Sequence, residues 1–299
     1  MSLNNRQSLL ASTRSFEAPT NPLQPTGSLR YGASATAGRL SAARDAGSAP
    51  LQNLRFYGNG PLLVYISGID GTGSLCFKQI PGLSKHYRVA TFRLRDGCSF
   101  TYSDLVEDVA EIIRDAGEER AVVAGESFGG TIALNFAIEH PDMVDRLVII
   151  NSFSRYRHRA RLTLVDGLLS ILPRRLTWFL RSFASRLGLA FDAVKHADRE
   201  EFFNAIRTVN LDSYRRRLAL IKQVDLDDRL KEISAPTLFV AAERDIVVPS
   251  LDEAMFMSER VPGSTVQVIK GAGHACMLAD QVSLAAIIAE WTNPPSIEL

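Results

Sequence analysis

Several features that would fix a function class are scarce in this 299-residue chain. Its three cysteines, Cys76, Cys98 and Cys276, are odd in number and stand at unrelated spacings. They build neither a disulfide framework nor a zinc cluster, and they read as thiols of a reducing, cytoplasmic compartment. No apolar run approaches the roughly 18–20 residues that a membrane-spanning helix requires. Charge of one sign is also missing, since 34 basic residues oppose 33 acidic ones and leave a formal net charge of +1. Nothing global therefore points to nucleic acid. With no H-E-x-x-H and no Cys/His cluster, no metal is implied. No cofactor is implied either. The glycine-rich Gly68-Ile69-Asp70-Gly71-Thr72-Gly73 lacks the Lys-Ser/Thr of a phosphate-binding P-loop and misses the G-x-G-x-x-G spacing, and Asp70 would repel phosphate. Internal repeats and coiled-coil heptads are absent. What remains is 46% hydrophobic and 22% charged, an ordinary globular balance for one large α/β domain with an appendage.

Residues 1–50 differ from the rest. They are rich in Ser, Ala, Gly and Thr and carry five arginines, Arg6, Arg14, Arg30, Arg39 and Arg44, against only Glu17 and Asp45. Such a segment buries too little apolar surface to offset its ordering entropy. It reads as a disordered tail or, being Arg- and Ser-rich and acid-poor, as a transit peptide to a plastid or other organelle. Leu9-Leu10-Ala11 is too short for the apolar region of a secretory signal.

From about residue 51 the pattern becomes periodic. Apolar, β-branched runs at 54–57, 62–66, 87–94, 121–125, 146–150, 236–241 and 265–269 predict strands. Between them, helical spacing predicts helices after Thr101, with Asp104 completing its cap, at 131–140, at 250–260 and at 281–291. Strands that alternate with helices imply a mostly parallel central sheet with right-handed crossovers. Residues 151–225 interrupt the alternation with four helical stretches, 162–172, 176–187, 199–209 and 212–223. We therefore expect a core of 51–150 and 226–299, with 151–225 as a helical lid inserted between two strands.

The chemistry centres on Gly125-Glu126-Ser127-Phe128-Gly129, a G-x-S-x-G placed between a strand and a helix. There a serine rides a sharp turn above the sheet, and a Cβ at Gly125 or Gly129 would strike neighbouring backbone. Acyl transfer through serine further needs a base, a carboxylate to orient it and donors for an oxyanion. His274, in Gly271-Ala272-Gly273-His274 after the last strand, is the candidate base. Asp245, just past the penultimate strand, is the candidate carboxylate, in competition with Glu243. The Phe128 N–H and one from the Gly68–Gly71 loop, Ile69, are the candidate oxyanion donors. His140-Pro141-Asp142-Met143-Val144-Asp145 also fits H-x₄-D, but it reads as a helix ending before proline.

The order Ser127, Asp245, His274, with Ser67-Gly68-Ile69-Asp70-Gly71, His140-Pro141-Asp142-Met143-Val144 and Ala235-Pro236-Thr237-Leu238, resembles the α/β-hydrolase superfamily from about residue 54 to 291. The resemblance implies an α/β-hydrolase fold and a serine hydrolase that cleaves carboxylic esters or thioesters through an acyl-enzyme. Dehalogenases and epoxide hydrolases of this superfamily place Asp where Ser127 stands. The stretch from Pro61 to Gly73 and Gly125-Glu126-Ser127-Phe128-Gly129-Gly130 are similar to the phytyl-ester-synthase-like esterases of plants and cyanobacteria. That similarity implies long-chain acyl lipids and isoprenoid alcohols as substrates. The plastid members carry a C-terminal acyltransferase domain not seen here, which favours hydrolysis over transfer to an alcohol. Transfer to a long-chain alcohol and a non-catalytic ligand-binding role on the same scaffold are the alternatives.

The expected lid adds one further reading. Residues 151–186 hold eight arginines, Arg155, Arg157, Arg159, Arg161, Arg174, Arg175, Arg181 and Arg186, against Asp166 alone. Leucines, phenylalanines and Trp178 are interleaved. A basic amphipathic surface of this kind suits contact with anionic membrane as well as an apolar channel for a small hydrophobic ester.

Overall fold

The computed structural model describes residues 14–16, 52–171 and 194–293. Its described strands are β1 (Arg14–Phe16), β2 (Gln52–Tyr57), β3 (Leu62–Ile66), β4 (Arg88–Arg93), β5 (Ala121–Glu126), β6 (Val144–Ile150), β7 (Thr237–Ala242) and β8 (Thr265–Ile269). They form one sheet in the order β1-β8-β7-β6-β5-β3-β4-β2. Every neighbouring pair is parallel except β2 on β4, which is antiparallel.

Side chains along a strand alternate between faces, and a parallel sheet with both faces covered needs both sets apolar. The sequence meets that demand. Val64, Ile66, Val123, Leu147, Ile149 and Phe239 enter one buried cluster. Their neighbours Leu63, Tyr65, Val122, Ala124, Val148, Ile150 and Leu238 enter a second cluster on the opposite face.

The described helices are α1 (Ile80–Leu83), α2 (Tyr102–Asp115), α3 (Phe128–Glu139), α4 (Arg159–Ile171), α5 (His196–Arg207), α6 (Leu211–Gln223), α7 (Ser250–Ser258) and α8 (Leu284–Thr292). Helix α2 starts on the expected cap. The Thr101 side chain accepts from the Asp104 N–H, and the Asp104 carboxylate accepts from the Thr101 N–H, a closed capping box. Its buried Leu105, Val106, Val109, Ile112 and Ile113 recur at the predicted helical spacing.

Most helices start or end a few residues away from the expected bounds, and at two of these ends a cap overrides periodicity. The last helix begins at Leu284 rather than 281, where the Ser283 side chain accepts from the Ala286 N–H. Helix α5 ends at Arg207 rather than 209, because Asn210 already caps α6 through the Asp212 and Ser213 N–H groups. The helix expected at 176–187 lies outside the described residues. Three residues of the N-terminal segment form β1 on the edge of β8. A parallel edge pairing is made by backbone, so composition gives no sign of it.

Between β6 and β7 the chain leaves the sheet for α4, α5 and α6 and returns through a closed neck. The Leu226 N–H donates to the Ser154 carbonyl (3.1 Å), and the Ser154 hydroxyl donates to the Asp227 carboxylate (2.6 Å). Arg155 pairs with Asp225 (3.2 Å), while Arg157 pairs with Asp227 (3.2 Å) and with Glu253 of α7 (2.8 Å). Two of the arginines that look unopposed in sequence thus meet acids brought from elsewhere in the chain. Asp166 of α4 takes Arg215 and Lys222 of α6, each at 3.0 Å.

Candidate active site

Four of the parallel strands present their carboxyl ends at one edge of the sheet, the place where open α/β sheets bind ligands. Ser127 follows β5, Asp245 follows β7, His274 follows β8, and the Gly68–Gly71 turn follows β3. Ser127 holds φ 54° and ψ −118°, a left-handed conformation outside helix and strand. Such backbone strain costs on the order of 1–3 kcal/mol and persists only where its surroundings dictate it. They do so here. The Ser127 N–H is fixed to the Ile150 carbonyl (2.8 Å). A Cβ at Gly125 would overlap the Gly129 carbonyl, and one at Gly129 would overlap those of Ile66 and Ser67.

The structure brings Ser127, His274 and Asp245 together. The Ser127 Oγ lies 3.1 Å from His274 Nε2, and His274 Nδ1 lies 2.7 Å from Asp245 Oδ2. His274 and Asp245 are both buried. The other Asp245 oxygen accepts the N–H groups of Val247 and Val248, each at 3.0 Å, so the carboxylate is aimed before any ligand arrives. Glu243, the competing acid, turns instead to the Gly271 N–H (2.7 Å) and braces the His274 loop from outside. Burial works against a charged His274 imidazole. The Asp245 charge, its hydrogen bond and the Glu126 charge outweigh burial, and the His274 pKa is raised above its ordinary value.

Phe128 opens α3, so its N–H is among the four that lack an intrahelical acceptor. Ile69 sits in a turn closed by the Gly71 N–H on the Gly68 carbonyl (3.0 Å). A Cβ on Gly68 would stand 3.5 Å from that of Ser127, so this turn passes directly over the serine. The Ser127 hydroxyl is therefore flanked by the two segments expected to supply N–H donors.

Composition and spacing leave three groups of residues here unmarked. Arg217 of α6 is fully buried and donates to the carbonyls of Asp70 (2.9 Å), Ile69 (3.2 Å) and Arg95 (3.0 Å). Burial lowers its pKa to about 10, although the Asp70 and Asp96 charges work the other way. Beneath the serine, the Glu126 carboxylate accepts the Tyr65 hydroxyl (2.6 Å), and burial raises the Glu126 pKa. Asn151 and Ser152, at the end of β6, contact the loops on either side. Their only sequence signal is a polar pair directly after an apolar strand. Among the described residues, no group of three or more His, Cys, Asp or Glu could hold a metal ion, and no helix is long and apolar enough to cross a membrane.

A mostly parallel sheet whose strand ends carry a strained serine, a histidine and an aspartate, in that spatial chain of hydrogen bonds, has the architecture of an α/β hydrolase. The chain belongs to the alpha/beta hydrolase family, whose model matches residues 63–287. It is 27% identical over 234 residues to "Putative carbamate hydrolase RutD" of Agrobacterium fabrum, covering 74% of this chain and 88% of that relative. The fold is similar to that of the enol-lactonase from Burkholderia xenovorans LB400, with a TM-score of 0.70 and 19% identity over 80% of this chain and 95% of the other. It is also similar to a thermophilic esterase from Thermogutta terrifontis, with a TM-score of 0.70 and 21% identity over 80% and 92% of the two chains.

Proposed function

We propose that this protein is a serine hydrolase that cleaves carboxylic ester or thioester bonds of a hydrophobic substrate through an acyl-enzyme on Ser127. One observation carries the reading: the Ser127 Oγ, His274 and Asp245 form a continuous hydrogen-bonded relay of 3.1 and 2.7 Å. In this mechanism the Ser127 oxygen attacks the substrate carbonyl carbon and its proton passes to His274 Nε2. Asp245 keeps the proton on Nδ1 and stabilises the imidazolium that forms. The N–H groups of Phe128 and Ile69 receive the negative oxygen, a contribution of about 3–4 kcal/mol per donor. Collapse breaks the bond to the leaving alcohol or thiol, which takes the proton from His274. Water then attacks the acyl carbon as its proton passes to the same imidazole; collapse breaks the bond to the Ser127 oxygen, which takes that proton back from His274, and the acid leaves.

An apolar substrate is supported by what surrounds His274. The next residue, Ala275, belongs to a buried cluster with Leu278 and with Val194, Phe202 and Ile206 of the 151–225 insertion, against which Phe77 packs. That contact also supports reading the insertion as a lid over the site. Leu164, Leu168 and Ile171 are exposed apolar side chains of α4, the helix that also carries Arg159 and Arg161, and they support contact of this helix with an anionic lipid surface. The carbamate hydrolase named among the relatives adds carbamates to the carbonyl compounds worth offering, since their cleavage begins with the same attack.

Labelling with a fluorophosphonate tests the reading first. Wild type should label and Ser127→Ala should not, whereas a well-folded wild type that stays unlabelled would make the protein a ligand binder. Turnover across esters, thioesters and carbamates of graded chain length, with and without a long-chain alcohol, then separates hydrolysis from transfer. Vesicle binding that responds to neither anionic lipid nor salt would remove the membrane contact.

A further inference from the structure

We infer that Asn151 and Ser152 are positioning residues that lock together the three loops bearing Ser127, Asp245 and His274, an inference that rests on the serine-hydrolase reading above. The pair lies where β6 ends, in the centre of the sheet, between the strand that delivers the serine and the strand that delivers the aspartate. Asn151 holds φ 46°, a left-handed conformation that asparagine tolerates better than most residues. Its N–H is anchored to the Val240 carbonyl of β7 (2.9 Å), and the turn aims its side chain along the sheet edge.

Both ends of that amide are then used on neighbouring loops. The Asn151 Oδ1 accepts from the Ala242 N–H (2.8 Å), three residues before Asp245. The Asn151 Nδ2 donates to the carbonyl of His274 itself (2.9 Å) and approaches the Cys276 sulfur (3.1 Å). Ser152 completes the set, its hydroxyl donating to the carbonyl of Ser127 (2.6 Å). A Cβ on Gly130 would overlap the Ser152 side chain, so the fit against α3 is close. One dipeptide thus bonds to the backbone of the nucleophile, to the backbone of the base and to the strand end from which the orienting acid departs.

The chemistry gives this arrangement a use beyond filling space. Proton transfer needs Nε2 on the serine and Nδ1 on the aspartate at once, and a displacement of about 1 Å can cost roughly 100-fold in rate. An amide suits the position because it accepts at one end and donates at the other. A carboxylate keeps the shape and loses the donor to the His274 carbonyl. A leucine keeps the volume and strands both the Ala242 N–H and that carbonyl.

The test uses the full-length protein and the variants Asn151→Leu, Asn151→Asp and Ser152→Ala. It measures kcat and KM on a short activated ester, the rate of fluorophosphonate labelling, and the low-field proton resonance of the His274–Asp245 hydrogen bond. The expected result for the Asn151 variants is a kcat lowered about 10–100-fold with KM within about twofold, together with a shifted or broadened low-field resonance. Ser152→Ala should lose less, about 3–10-fold, because one of the three ties is removed. A folded variant at Asn151 that keeps both wild-type kcat and an unshifted resonance overturns the inference. Should Asn151→Leu fail to fold, Asn151→Asp preserves the shape and decides the matter by the same two readouts. The resonance reports the geometry without turnover, so loss of the positioning role and loss of the hydrolase reading look different. A wild type that shows the resonance but neither labels nor turns over sinks the hydrolase reading and, with it, the positioning role.

Discussion

At the scale of single residues, the site is built from groups held away from their ordinary state. Ser127 keeps a left-handed backbone, and His274 keeps a proton more firmly than free imidazole does. The second fact has a definite sign. A general base works only when neutral, and a raised pKa keeps it charged to higher pH, so activity should climb as pH rises through the folded-state value. The midpoint of that acid limb should lie above the unperturbed histidine value of about 6.5. Asp245→Asn removes the largest of the raising influences, so kcat should fall by roughly 10³–10⁴-fold and the limb should move to lower pH. Glu126 also raises the His274 pKa, so Glu126→Gln should move the limb the same way with a much smaller loss of kcat. A pH–rate profile of kcat/KM for the three proteins checks both statements. Folding follows the same sign: the His274 contribution to stability is full below about pH 6.5 and is lost as pH climbs through the raised value.

At the scale of elements, loops and helices contributed unequally to what could be read from sequence. The serine, the aspartate and the histidine were legible because each closely follows an apolar strand, and the chain order of the strands implied a shared edge. Arg217 was not legible. It sits in Tyr214-Arg215-Arg216-Arg217, where three consecutive arginines look like a solvated helix face. Arg215 does reach an acid on a neighbouring helix and Arg216 a backbone carbonyl, while Arg217 alone is fully buried. Helical phase separates adjacent residues by about 100°, but only packing tells which of the three points inward. Its fork holds the turn over Ser127 by the Ile69 and Asp70 carbonyls. Arg217→Lys keeps the charge and loses the fork, so kcat should drop about tenfold or more with KM little changed, and stability should fall by about 1–3 kcal/mol. Kinetics and thermal unfolding of the purified variant decide it. Helix α2 offers a plainer case, since Thr101→Ala opens the capping box and should cost about 1 kcal/mol in urea unfolding without touching kcat.

At the scale of the whole molecule, the sheet and its two apolar faces followed from strand alternation, whereas the neck of the insertion did not. Its ion pairs join residues some 70 to 96 positions apart, a distance at which charge patterning carries no signal. Arg157 concentrates that neck, pairing with Asp227 and Glu253 while its guanidinium stands 4.2 Å from the centre of the Phe256 ring. Removing it strands the nearly inaccessible Glu253 carboxylate, whose pKa burial already raises. Arg157→Ala should therefore lower stability by about 3 kcal/mol at neutral pH, with part of the loss recovered in acid as Glu253 protonates. Thermal denaturation at two pH values reads this directly.

The buried arginine of α6 has a consequence for engineering and for divergence. The segment between β6 and β7 supplies the clasp on the loop after β3. Exchanging that segment for one from another hydrolase would leave Gly71, whose missing Cβ makes room for the guanidinium, facing a hole. Chimeras that transplant the segment alone should express as crippled catalysts, and those that move the loop after β3 with it should recover.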